Sequence, residues 1–132
     1  MNRFLTLILA AVTAVTLGCG YSSKSTTPAV AGAVPAISQL APNSATAGGA
    51  GFTMTVNGTS FSTTAAVSWN GTALTTTYIS ASQLMATVSA ADIANAATVP
   101  VTVTNPAKSG TGAYGSGGTL AETSGPMNFT VN

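Results

Sequence analysis

Apolar residues in this chain recur in short runs with a period of two, and turn residues fall between the runs. Phe52, Met54 and Val56 alternate with Thr53, Thr55 and Asn57, the signature of a strand with one buried face. Leu84, Ala86 and Val88 share one side of the run Gln83–Ser89. Val99, Val101 and Val103 alternate with Pro100, Thr102 and Thr104, and Met127, Phe129 and Val131 form the last run. Ala36–Leu40 opens the series and is stopped by Pro42-Asn43-Ser44. The runs Ala65–Trp69 and Ala73–Ile79 flank Asn70-Gly71, a strong signal for a two-residue hairpin. Pro100 predicts an edge or strand-start position, because proline cannot donate to a ladder. Phe61 is expected to plug the core. Ser89-Ala90-Ala91-Asp92 fits a capping pattern and predicts one or two helical turns near Asp92–Asn95.

About seven short strands at this spacing predict an all-β immunoglobulin-like sandwich. The chain has one cysteine, so the fold has no internal disulfide.

The first residues follow a different pattern. One positive charge at Arg3 precedes the fourteen uncharged residues Phe4–Leu17. That run is too short for a bilayer-spanning helix of about 20 residues and suits the apolar region of an export signal. Val15-Thr16-Leu17-Gly18-Cys19 resembles the lipobox of bacterial lipoproteins, although Thr16 and Leu17 depart from its commonest form. The resemblance implies cleavage before Cys19, lipid on its sulfur, and a membrane as partner through that lipid. Simple secretion and an uncleaved anchor are the competing readings. Gly20, which is not an acid, leans toward the outer membrane or cell surface by the same resemblance. The expected organisation is a signal peptide over 1–18, a lipidated N-terminus and flexible linker over 19–34, and one domain over 35–132. The linker expectation rests on Ser, Thr, Ala, Gly and Pro without apolar period.

Beyond residue 18 the charges are Lys24, Lys108, Asp92 and Glu122, which cancel. No basic stripe exists to follow phosphates, so nucleic acid is not an expected partner. The chain has no histidine, and two carboxylates plus one cysteine cannot furnish the usual nucleophile–base pairs or metal cages. No enzyme activity, no metal and no cofactor are expected. Gly110-Thr111-Gly112-Ala113-Tyr114-Gly115 matches a dinucleotide fingerprint formally, but Gly117-Gly118 stops any following helix and no acid lies about 20 residues on. Asn57-Gly58-Thr59, Asn70-Gly71-Thr72 and Asn128-Phe129-Thr130 match the glycosylation triplet, but two of them are expected at turn positions and the turn reading is favoured.

Several segments together resemble the IPT/TIG domain, an immunoglobulin-like module of the early-set kind. They are Pro42-Asn43-Ser44-Ala45-Thr46-Ala47-Gly48-Gly49, Val56-Asn57-Gly58-Thr59-Ser60-Phe61, Val67-Ser68-Trp69-Asn70-Gly71, Ser80-Ala81-Ser82-Gln83-Leu84 and Val101-Thr102-Val103-Thr104-Asn105-Pro106. The resemblance implies a binding and spacer module without catalytic residues. The Gly-rich connection from Lys108 to Gly125 is a departure, and loops of that length are usually functional or disordered.

The expected function is a lipid-anchored envelope protein that presents an interaction module outside the cytoplasm. Its partner would be another envelope protein or a polysaccharide. Two alternatives stand beside it. A carbohydrate-binding module would stack sugars on Trp69 and Tyr78, with Tyr114 as a further ligand contact. The phase of Trp69 with Val67 argues instead for the core. A structural component would self-associate through strand edges.

Overall fold

Residues 29–110 and 117–132 are described by a computed structural model. Cys19 and Tyr114 lie outside these residues, as do the signal segment and most of the expected linker.

The described residues form ten strands. They are β1 (Ala36–Ala41), β2 (Ser44–Ala45), β3 (Phe52–Thr59), β4 (Ala66–Trp69), β5 (Thr72–Ala73), β6 (Thr76–Ser80), β7 (Gln83–Val88), β8 (Ala97–Asn105), β9 (Glu122–Thr123) and β10 (Met127–Val131). One sheet has the order β1-β3-β7-β6. The other has the order β2-β10-β8-β4-β5, with β9 also paired to β8. Every pairing is antiparallel except β2 with β10.

Register puts apolar residues of equal phase side by side. Met54 faces Ala86 and Val56 faces Leu84 in the first sheet. Val67 faces Val103 and Trp69 faces Val101 in the second, while Phe129 faces Val99. These side chains are buried between the sheets, with Phe61 and Ile93 closing the two ends. Each fully buried Val, Leu or Phe contributes about 1.5–3 kcal/mol. Phe129 couples the layers: its ring centroid lies 5.7 Å from Phe52 in the opposite sheet and 4.9 Å from Trp69 in its own.

The Asn70-Gly71 hairpin forms as expected, with Trp69 opposite Thr72. Both turn residues have positive φ, 48° and 84°, the requirement of the turn that matches strand twist. Ser89 and Asp92 also form the expected reciprocal cap. Asp92 Oδ2 accepts from the Ser89 amide at 2.9 Å, and the Asp92 amide donates to Ser89 Oγ at 3.3 Å. The segment after it stays a turn. Its backbone bonds run from Asp92 to Ser89 and from Ala94 to Ala91, spans of three residues that never extend into a helix.

Three expectations are corrected. Ala73–Ile79 is not one strand, because β5 and β6 belong to different sheets. Thr76 explains the crossing: its Oγ1 accepts from the Val67 amide at 2.9 Å and donates to the Leu74 carbonyl at 3.0 Å. That hydroxyl ends the β4–β5 pairing and releases the chain to β7. Pro100 lies inside β8, a central strand. Its carbonyl accepts from the Asn70 amide at 3.0 Å. A residue's amide and carbonyl point to the same side of a strand, so the missing donor faces the hairpin turn, where β4 has already ended. Finally, residues 29–34 are not a free linker. The Val30 amide donates to the Gly118 carbonyl and the Leu120 amide donates to the Val30 carbonyl, both at 3.1 Å.

Candidate functional site

β8 carries its inward phase one step beyond valine. After Val99, Val101 and Val103, the next inward residue is Asn105, which is 6% exposed. A buried amide must find partners, and Asn105 finds three. Its Oδ1 accepts from the Ser62 amide at 3.0 Å. Its Nδ2 donates to the Ala33 carbonyl at 2.8 Å and to the Ser60 carbonyl at 2.7 Å. One side chain therefore ties β8 to the segment before β1 and to the loop after β3.

That loop is tightly fitted. Ser60 has φ of 60°, an uncommon backbone conformation for a residue other than glycine. Phe61 turns its ring into the core, and Gly58 leaves room for it, since a Cβ there would sit 2.6 Å from Phe61 Cζ.

Around Asn105 the chain leaves a cleft of about 310 Å³, lined by Gly32, Ser60, Ser62, Asn105, Lys108 and Leu120 among others. Ser62 Oγ is buried here with no hydrogen-bond partner among the described residues. Lys108 and Thr119 pair through both amides, at 3.0 and 2.9 Å, which narrows the Gly-rich connection beside the cleft. Glu122 opens β9 opposite Asn105. The cleft lies at the end of the sandwich where the chain enters β1. The loops at Gly48 and Ile93, joined by a 2.8 Å backbone bond, lie at the other end.

Of the aromatic residues expected to contact ligand, Trp69 and Tyr78 are among the described residues and belong to different sheets, while Tyr114 lies outside them. Trp69 is 4% exposed and packs on Phe129, so its ring offers no face to a sugar. The in-phase neighbour Val67 already pointed that way. Tyr78 is half-buried against the core from the opposite sheet. Among the described residues no three His, Cys, Asp or Glu side chains come together as a metal site.

Asn105 and Ser62 were missed in the sequence reading. The signal for Asn105 was present: a polar residue stood at the inward phase of a valine run, directly before Pro106. Ser62 carried no such signal.

Two packed sheets with one parallel edge pair and no disulfide define an immunoglobulin-like sandwich. The IPT/TIG domain family model matches residues 35–122, two thirds of the chain, and the chain belongs to this family, whose domains are non-catalytic. No match was found among curated proteins or among solved structures. β10 lies beyond the matched stretch, yet it supplies Phe129 and Val131 to the core.

Proposed function

We propose that the protein is a non-enzymatic, lipid-anchored component of the bacterial cell envelope whose IPT/TIG domain serves as an interaction and spacer module outside the cytoplasm. The observation that carries this reading is the lone Cys19 behind an uncharged apolar run with a basic start. A thiol is the one side chain here able to form a thioether to diacylglycerol. Two or three acyl chains would hold the protein firmly, since each buried CH₂ contributes about 0.8 kcal/mol.

The fold supports a tether with a defined direction. Nine residues lie between Cys19 and Ala29, and the ten steps from one to the other span at most about 36 Å when extended. The chain enters the sandwich at the end that holds the Asn105 cleft. The loops around Gly48, Asn70-Gly71 and Ile93 then face away from the lipid and are offered to another envelope protein. The burial of Trp69 counts against a sugar-stacking surface, and the sparse charge counts against nucleic acid.

Cys19→Ala tests the anchor. The variant is expected to leave the detergent phase in a temperature-induced phase separation, where the native protein stays. A variant that partitions as the native protein does would refute lipid attachment at Cys19.

A further inference from the structure

We propose that β6 is a homotypic docking edge, at which a second copy of this chain adds its own β6 antiparallel and joins two four-stranded sheets into one.

β6 ends its sheet, and β7 is its only strand neighbour among the described residues. The Thr87 amide donates to the Thr75 carbonyl at 3.0 Å, so the peptide groups of Thr75 and Thr77 face β7. By alternation those of Thr76 and Tyr78 face outward. They form an unpaired row, the ready template for another strand.

Edges of this kind are ordinarily guarded by charge or proline. β6 reads Thr76-Thr77-Tyr78-Ile79-Ser80 and has neither, and β7 beside it has neither as well. Identical copies meet without the like-charge repulsion that would keep them apart. Apolar surface accompanies the free edge. Ile79 is 48% exposed and Met85 37% exposed, on the same outer face, with Met85 opposite Thr77. The other edge of this sheet is less available. β1 is flanked by Pro35 and Pro42. Its chain then crosses to join β10 through β2.

The irregularity in β6 falls between Tyr78 and Ser80, so the regular edge is Thr76–Tyr78 and it fixes the register. A two-fold axis beside Thr77 lets Thr76 of each copy exchange two hydrogen bonds with Tyr78 of the other. Thr77 then faces its own copy in a non-hydrogen-bonded pair, with Cα atoms about 4.5 Å apart. That distance suits a disulfide, which spans about 4.4–6.8 Å between Cα atoms. Ile79 comes to rest across from Thr75 of the second copy.

The test is disulfide trapping in the full chain. Thr77→Cys is compared under mild oxidation with Thr53→Cys, an exposed position on the outer face of β3 away from the edge. Thr77→Cys is expected to give covalent dimer about tenfold faster, through the high effective concentration of a docked pair. Adding Ile79→Lys to Thr77→Cys is expected to return the rate to that of Thr53→Cys while leaving the melting temperature unchanged. Equal rates for the two cysteines, or no effect of the added lysine, would overturn the proposal. The native chain is carried alongside. Dimer formed there through Cys19 would show a free thiol and would count against the lipid reading, while the Thr77 to Thr53 ratio would still decide the docking edge.

Discussion

Replacing Asn105 by alanine removes one side chain and three hydrogen bonds at once. Each such bond contributes about 1 kcal/mol net, and an orphaned buried group costs about 1–3 kcal/mol. The bonds here are 2.7–3.0 Å long. Water in the cleft can satisfy part of what the Ala33 and Ser60 carbonyls lose, but the Ser62 amide, aimed at Asn105, is left without its acceptor. The expected loss is about 2–4 kcal/mol. For a domain of this size the urea slope is about 1 kcal/mol per molar, so the midpoint should fall by about 2–4 M. A companion Gln83→Ala removes only the 3.3 Å bond to Asn57 Oδ1 on the sheet surface and should cost under about 0.5 kcal/mol. Amide exchange adds a local readout: the Ser62 amide should lose protection before the core strands do. Asn105→Ala within about 0.5 kcal/mol of the native protein, or Gln83→Ala costing as much, would refute the idea that one amide holds this end of the sandwich together.

Gly58→Ala should lower stability by about 3 kcal/mol, because the new methyl would collide with the Ala36 carbonyl oxygen as well as Phe61; thermal melting against Gly125→Ala, where nothing lies within 4 Å, checks it. Asp92→Ala should cost about 1 kcal/mol through loss of the cap on Ser89, measured by chemical denaturation, and a neutral result would show that the turn does not need the carboxylate.

Much of the sandwich was legible from alternation alone. β3, β7, β8 and β10 lie where period-two runs place them, since a half-buried strand must separate apolar from polar residues. The Asn70-Gly71 turn was legible because few residues tolerate its backbone. The break between β5 and β6 was not. Ala73–Ile79 contains no Gly, Pro, Asn or Asp to mark a break, and what divides it is the Thr76 hydroxyl meeting the Val67 amide of β4, a contact that no local pattern encodes. Residues 29–34 were hidden for a related reason. Their order comes from backbone bonds to Gly118 and Leu120 and from the Asn105 amide, while Val30 and Val34 stay exposed, so no apolar period marks them. Pro100 misled because the rule against proline in central strands assumes that every donor has a neighbour. In the site, Asn105 was readable from its phase, whereas the cleft and Ser62 arise only when three separate segments converge.

The tether is the claim on which the functional reading turns. Intact mass spectrometry of the protein purified from its native envelope addresses it directly. The expected result is a chain that begins at Cys19 and carries diacylglycerol on its sulfur. A retained Met1, or an unmodified thiol at residue 19, would contradict it.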